Sequence, residues 1–255
     1  MGTLGSTDMP AGSGVASGAA TRVIAKAPKR HSLLVRITHW ISALCFLALL
    51  VTGGEIVLSH PRFYWGETGN VNTKPLFKIP VPSSRKLVPT GYNYTLPDQN
   101  GWSRALHFQS AWFIVLTGLL YALWGFFSGH FRRNLLPEKG HRSLRAFFAS
   151  LISHLQFARP GPDEAHSYNL LQRLSYLFVI FVAFPLVIWS GLALSPTWDS
   201  AFPLTVNLLG GRQSARTIHF FVSIALLLFV MVHVFMIWLA GFWNRTVAMI
   251  TGRVK

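Results

Sequence analysis

Four long apolar stretches constrain this chain more than any other feature of its sequence. They run from 39 to 58, from 106 to 128, from 174 to 194 and from 217 to 240. Because about 20 apolar residues in a helix cross about 30 Å of hydrocarbon, each stretch predicts a membrane-spanning helix. We therefore expect an all-α integral membrane four-helix bundle, with its transmembrane domain at 31–245.

The composition agrees with a membrane protein. Hydrophobic residues make up 51% of the chain, charged residues only 12%, and the mean hydropathy is +0.39, whereas soluble domains carry about 25% charged residues. The formal net charge of +15 raises nucleic acid as a partner. The basic residues lie between the apolar stretches and form no soluble basic domain, so we expect membrane lipid as the partner and no nucleic acid.

The distribution of basic residues predicts the orientation. If the N-terminus is cytoplasmic, roughly two thirds of the Lys and Arg residues fall on the inside. We expect both termini in the cytoplasm, a disordered cytoplasmic tail at 1–30, an outer loop at 59–103 and a second cytoplasmic tail at 246–255. The tail at 1–30 is rich in Gly, Ala, Ser and Thr and has no apolar core of the kind found in secretory signals.

The predicted cytoplasmic loop between the second and third spans carries an amphipathic pattern. Its apolar residues recur at helical spacing: Leu144, Phe147, Phe148, Leu151, Ile152 and Leu155. Arg142 and Arg145 flank them, which is typical of a helix lying in the membrane interface. A helix packed on a partner protein is the alternative. The pattern predicts one cytoplasmic interfacial helix.

Four histidines lie in the predicted spans, where ionisable residues are costly and usually functional. They are His39, His107, His219 and His233. The last two stand on one helix and are separated by nearly four full turns, or about 21 Å. Both rings therefore leave the same helix face, one near each membrane surface. A single membrane histidine can instead only bond a neighbouring helix, but four with this spacing indicate ligands.

The order of the spans pairs these histidines by depth. The first helix enters from the cytoplasm, so His39 lies near the inner surface, as does His233 at the end of the fourth helix. His107 and His219 open helices that enter from outside, so both lie near the outer surface. The expected pairs are His39 with His233 and His107 with His219, built from facing helices as in other bundles.

Two imidazoles on opposite sides of a metal favour haem over a bare ion. A closed zinc site needs four ligands together, whereas these pairs lie about 20 Å apart along the helix. A porphyrin fills the plane between two axial histidines, and such a site transfers electrons without binding oxygen. Cys45 is the only cysteine, so neither a C-x-x-C-H attachment site for c-type haem nor a thiolate-bound iron–sulfur cluster can form.

Arginine stands three residues before three of the four histidines. Arg36 precedes His39, Arg104 precedes His107, and Arg216 precedes His219. Residues at i and i+3 share a helix face, and guanidinium groups suit the two propionates of haem. We expect these arginines to contact propionates, although snorkelling at helix ends is an alternative for each.

These features resemble those of the bacterial di-haem cytochrome b family. That family includes cytochrome b-561 and the membrane subunits of nickel–iron hydrogenase, respiratory formate dehydrogenase and thiosulfate reductase. The resemblance covers about 30–242 and rests on the four histidines, on Arg36-Ile37-Thr38-His39-Trp40, on the run at 168–176 and on the segment at 190–196. It implies two haems b, His39/His233 inner and His107/His219 outer, in a multi-pass protein of the bacterial inner membrane.

The resemblance also implies exchange with quinone or quinol and a periplasmic redox partner. The outer loop at 64–70 is similar to that of members serving molybdopterin oxidoreductases, so we expect an electron-transfer cytochrome b subunit of such an enzyme. Two alternatives stay open: a stand-alone quinone-reducing oxidoreductase of a small donor such as superoxide, and a haem-free transporter or scaffold. The oligomeric state also stays open, with a homodimer among the possibilities.

Overall fold

The computed structural model describes residues 31–70, 72–81, 101–136, 152 and 170–252. Four of its helices are long and apolar enough to cross a membrane, and they are Leu33–Ser59, Trp102–Phe127, Arg173–Leu192 and Arg212–Leu239. The prediction of four spans is confirmed. The first, second and fourth helices begin several residues earlier than predicted, because the helical hydrogen bonds continue into the polar flanks of each apolar stretch.

The described elements follow one another in a simple order along the chain. They are α1 (Leu33–Ser59), β1 (Arg62–Phe63), β2 (Phe77–Lys78), α2 (Trp102–Phe127), α3 (Leu170–Phe178), α4 (Phe184–Leu192), α5 (Pro196–Ala201), α6 (Pro203–Asn207), α7 (Arg212–Leu239) and α8 (Phe242–Thr251). One π-helical segment, Phe131–Leu135, follows α2. A second one, Val179–Ala183, joins α3 to α4. The third span therefore consists of α3, a π-helical segment and α4.

Pro185 explains the irregularity of the third span. Proline has no backbone N–H, so one hydrogen bond of the regular helical ladder is missing at this position. The π-helical segment Val179–Ala183 lies immediately before the proline, and α4 resumes with Pro185 in its first turn. Local widening of this kind is one way in which a helix accommodates such an interruption.

The spans associate mainly as two helix pairs. One pair is α1 with α2, and the other is α4 with α7. Near the outer end of the first pair, the Glu55 carboxylate accepts hydrogen bonds from Ser103 at 2.6 Å and from Ser59 at 3.3 Å. In the second pair, small and branched side chains such as Ala183 and Leu226 are buried between the helices. The four histidines lie where the two pairs face each other.

The beginning of the outer loop folds over the outer end of α7. β1 and β2 form an antiparallel pair, and the Gly66 carbonyl accepts the backbone N–H groups of Gln213 and Ser214. The Glu67 carboxylate accepts the backbone N–H of Arg212 at 3.0 Å, which places a negative charge at the positive end of a helix. The Thr217 hydroxyl donates to the Tyr64 carbonyl at 2.7 Å. The sequence pattern indicated only a long loop here.

A short helix follows the fourth span on the opposite side. α8 packs against the first turns of α1, where the Trp40 indole donates to the Met249 carbonyl at 3.4 Å and Arg36 donates to the Ile250 carbonyl. Residues 246–251, within the segment predicted as a tail, belong to this helix. The tail predicted at 1–30 and, apart from the helical residue Ile152, the predicted interfacial helix lie outside the described residues.

Candidate cofactor sites between the helix pairs

The two histidines predicted for the inner site face each other across the bundle. The ring centroids of His39 on α1 and His233 on α7 lie 6.4 Å apart. Aromatic rings surround them: Trp40 meets His39 edge-on at 5.4 Å, while Phe229 stacks on His233 at 5.8 Å and Tyr176 meets it at 6.4 Å. The pair therefore lies in a mainly apolar environment.

The two histidines predicted for the outer site have nearly the same separation. His107 on α2 and His219 on α7 have ring centroids 6.3 Å apart, with 60° between the ring planes. In both pairs, α7 supplies one imidazole and a helix of the α1–α2 pair supplies the other. The structure thus brings together all four histidines in the predicted combination.

These separations fit one metal ion between each pair of rings. With metal–imidazole bonds of about 2.0–2.1 Å on both sides, the ring centroids lie slightly more than about 6 Å apart. Centroid separations of 6.4 and 6.3 Å are too long for hydrogen bonds between the rings. Within the described residues, no group of three or more His, Cys, Asp or Glu side chains could hold a metal, which disfavours a closed zinc site.

The outer histidines are oriented by hydrogen bonds from neighbouring helices. The Thr52 hydroxyl of α1 lies 2.9 Å from His107 Nδ1, and it donates its own hydrogen to the Ala48 carbonyl at 2.7 Å. His219 Nδ1 lies 2.9 Å from the Val187 carbonyl and 3.2 Å from the Ser190 hydroxyl. A carbonyl only accepts, so Nδ1 of His219 carries the hydrogen. This tautomer leaves Nε2 as the nitrogen that can bind iron.

A glycine follows each of these hydroxyl residues and lies against the same imidazole. A Cβ atom added at Gly191 would lie 3.1 Å from His219 Cε1, and one added at Gly53 would lie 3.5 Å from His107 Cε1. At Gly191 the absence of a side chain therefore lets the ring approach the helix backbone, whereas the distance at Gly53 is an ordinary van der Waals contact. The sequence analysis missed this role of Thr52 and Ser190. The hydroxyl–glycine dipeptide was the available signal, and it also occurs at Thr117-Gly118 of α2.

The inner histidines lack such hydrogen bonds. His39 Nδ1 is buried and has no hydrogen-bond partner among the described residues. The contacts of His233 in the same part of the chain are ring contacts with His39, Tyr176 and Phe229. The two sites therefore have nearly the same separation between the rings, but they differ in the hydrogen bonds at Nδ1.

Two of the three predicted arginines come together near the outer site. Arg104 Nη2 lies 3.4 Å from His60 Nε2, and Arg216 donates to the His60 carbonyl while its guanidinium lies 5.0 Å from the centre of the Phe63 ring. Arg36 lies at the inner end of α1, and its Nε is buried without a partner among the described residues. None of the three has a carboxylate partner there, since the ion pair found in the described residues joins Arg212 to Asp199 at 3.9 Å.

His60 reports on the electrostatics of this outer cluster. The pKa of His60 is lowered from 6.5 to about 4, mainly by burial and in addition by the positive charges of Arg216 and Arg104. The imidazole is therefore neutral near pH 7 and adds no positive charge. Two guanidinium groups close to an uncharged ring form a cationic surface suited to carboxylates such as haem propionates.

Comparisons with known proteins identify the family that this chain resembles. The family model described as prokaryotic cytochrome b561 matches residues 30–252. A protein of Azospira oryzae named as the YedZ1 subunit of a protein-methionine-sulfoxide reductase is 33% identical over 87% of this chain and 96% of its own length. Proteins named as B-type cytochrome subunits of Ni/Fe-hydrogenase are 25% identical: that of Cupriavidus necator over 82% of this chain and 78% of its own length, and that of Bradyrhizobium diazoefficiens over 79% and 74%. No solved structure matches.

Proposed function

The chain belongs to the prokaryotic cytochrome b561 family, and we propose that it carries electrons across the membrane through two b-type haems. As a member of this family of electron-transfer subunits, with four helices able to span a membrane, it is a multi-pass protein of the bacterial inner membrane. The proposal concerns the number of haems, their ligands and the molecules that exchange electrons with them.

The observation that supports two haems is the pair of matched imidazole separations. His39 with His233 would hold the inner haem, and His107 with His219 would hold the outer haem. Haem bound by these residues would supply one-electron chemistry. Because two imidazoles would hold each haem, the residues favour electron transfer over oxygen binding.

The arginines would complete the sites by neutralising the propionates. Arg104 and Arg216 project beside His60 near the outer pair, and Arg36 lies one turn from His39. Charge-assisted hydrogen bonds from guanidinium to carboxylate are roughly twice as strong as neutral ones. Because these guanidiniums have no carboxylate partner among the described residues, propionates would satisfy them without displacing an existing ion pair.

The outer surface supports a redox partner on that side. Above the outer histidine pair, several large apolar side chains are exposed in the folded residues 60–70 and 72–81 and around α6. They are Trp65 at 61%, Leu76 at 60%, Leu204 at 69% and Leu208 at 67%. Apolar patches of this kind mark contact surfaces. The relatives are named as subunits of a protein-methionine-sulfoxide reductase and of Ni/Fe-hydrogenase, which supports a redox enzyme as the partner. We propose that the partner of this chain is a periplasmic molybdopterin oxidoreductase.

We also propose that quinone or quinol is the exchangeable substrate and that both termini are cytoplasmic. The inner haem would then lie at the cytoplasmic surface, and α8, with exposed Phe242 and Trp243, would lie along the inner interface. Aromatic side chains prefer that region of the bilayer. This orientation also places the folded outer segment on the periplasmic side, where its partner would dock.

The decisive experiment is a haem-to-protein ratio on the purified full-length chain, with a reduced-minus-oxidised spectrum. Two haems b per chain is the expected result, and one or none contradicts the proposal. Reduction of the haems by quinol, measured with and without a periplasmic oxidoreductase, then tests whether the chain exchanges electrons with quinol and with that partner. Fast oxidation of superoxide without any partner would instead favour a stand-alone oxidoreductase.

A further inference from the structure

The outer and inner histidine pairs differ in the hydrogen bonds at Nδ1. His107 and His219 each have an oxygen atom 2.9 Å from Nδ1. His39 Nδ1 is buried without a partner, and His233 shows ring contacts alone within the described part of the chain. Hydrogen bonds to the ring nitrogen that does not bind the metal are where a histidine ligand is tuned.

Thr52 is placed to accept a hydrogen bond from His107 Nδ1–H. When its hydroxyl hydrogen is directed to the Ala48 carbonyl at 2.7 Å, an oxygen lone pair is left for His107 Nδ1 at 2.9 Å. Ser190 is similar, because its hydroxyl donates to the Leu186 carbonyl at 2.7 Å. Both hydroxyl side chains are buried, with Thr52 and Ser190 fully inaccessible to solvent. Water therefore does not compete for these contacts.

We propose that Thr52 and Ser190 are positioning residues that hold the outer histidines in the Nδ1-protonated tautomer and lower the midpoint potential of the outer haem below that of the inner haem. The inference rests on the proposed function. An acceptor at Nδ1–H makes the imidazole a stronger electron donor. A stronger donor stabilises ferric iron relative to ferrous iron, so the one-electron reduction becomes less favourable.

The two residues do not contribute equally. His219 keeps the Val187 carbonyl at 2.9 Å when the Ser190 hydroxyl is removed. The structure gives His107 no comparable second acceptor among the described residues. Loss of the Thr52 hydroxyl should therefore have the larger effect, and loss of the Ser190 hydroxyl the smaller one.

The test is a potentiometric titration of the full-length protein in detergent, followed at the haem absorbance bands. Thr52→Val keeps the shape of the side chain and removes the acceptor. We expect the lower-potential component to become about tenfold easier to reduce, which is about 59 mV for a one-electron couple, while the higher-potential component stays in place. Thr52→Ser should restore the original value, and Ser190→Ala should shift the same component by less.

Thr117→Val is the matched control. Thr117 also donates back to a helical carbonyl, that of Phe113 at 2.6 Å, but among the described residues it has no hydrogen bond to a histidine. It should leave both components unchanged. His107→Ala identifies the components, since the haem that remains in it should titrate at the higher potential.

Each outcome decides between distinct claims. A chain without two haems contradicts the proposed function. If Thr52→Val keeps both haems and neither component moves, or if the higher-potential component moves instead, the role assigned to Thr52 is wrong. If Thr52→Val loses the outer haem, Ser190→Ala decides: a rise in the lower component supports the proposal, and an unchanged value overturns it.

Discussion

His107 and His219 lie on different helices and face each other with ring centroids 6.3 Å apart. Each imidazole contacts a hydroxyl–glycine dipeptide on a further helix. Thr52-Gly53 of α1 lies against His107, and Ser190-Gly191 of α4 lies against His219. All four spans therefore contribute to the outer site. The inner site depends on the ring contacts of α1, α3 and α7.

The first prediction concerns histidine pairs acting as units. His219→Ala should lower the haem content from about two to about one per chain, because a bis-histidine site loses its haem with either ligand. The double variant His107→Ala/His219→Ala should lose no more than the single variant. Haem quantification of purified protein measures both. His130→Asn is the control, since that ring packs on Trp124 at 4.8 Å and has no facing histidine in the described residues.

If the double variant of the outer pair lost both haems, or if His130→Asn removed one, the assignment of ligand pairs would be wrong. His39→Ala and His233→Ala should remove the other haem, with a spectrum complementary to that of His219→Ala. The combination His219→Ala/His233→Ala should contain no haem.

The second prediction concerns the close approach at Gly191. Gly191→Ala adds a Cβ atom 3.1 Å from His219 Cε1 and 3.4 Å from His219 Nδ1, so the ring must move. Overpacking of this kind costs roughly 1–3 kcal/mol. We expect reduced occupancy of the outer haem, measured as haem per chain. Gly54→Ala is the control, because a Cβ atom there meets nothing within 4 Å, and equal occupancy in both variants would contradict the prediction.

The third prediction concerns the positive charge beside the outer site. Arg104→Gln removes one guanidinium and should lower the midpoint potential of the outer haem, since positive charge favours the ferrous state. The expected shift is of the order of tens of millivolts, opposite in sign to that of Thr52→Val. Arg212→Gln, whose guanidinium is paired with Asp199 at 3.9 Å, should shift it less in a redox titration.

The fourth prediction is a pH dependence of stability due to His60. The pKa of His60 is lowered to about 4, first by burial and then by the charges of Arg216 and Arg104. The unfolded chain titrates near 6.5 and so binds more protons between these limits, which means that stability is lost as the pH falls through this window. Carboxylates bound to Arg104 and Arg216 would raise the pKa of His60 in the folded chain, but stability would still be lost as the pH falls.

His60→Asn should therefore flatten the fall in thermal midpoint between pH 6.5 and pH 4. Thermal unfolding in detergent at a series of pH values measures this slope. The same slope in the variant and in the unchanged protein would show that His60 does not couple protons to the fold.

The fifth prediction tests the orientation of the chain. Cys45 is the only cysteine, so a Cys45→Ala background allows single cysteines to be placed at exposed positions. Thr68→Cys in the folded outer segment should react with a membrane-impermeant maleimide on intact cells. Asn244→Cys in α8 should react only after permeabilisation, and the reverse pattern would invert the proposed topology.

The sequence by itself predicted the four spans and the combination in which the histidines face each other. Helical geometry and apolar length are properties of one segment, so the spacing of His219 and His233 on one helix sets their depth and their common face. The alternation of spans across the bilayer then matches each of them to a neighbour at the same depth.

Only the tertiary structure decided what surrounds those histidines. Whether Thr52 or another residue of α1 reaches His107 depends on how each helix is rotated about its axis, and packing against the other spans sets that rotation. The course of residues 60–70 over the N-terminus of α7, and of α8 against α1, likewise depends on contacts between residues distant in sequence. Periodicity within one segment carries no information about such contacts, because they form between segments and not within them.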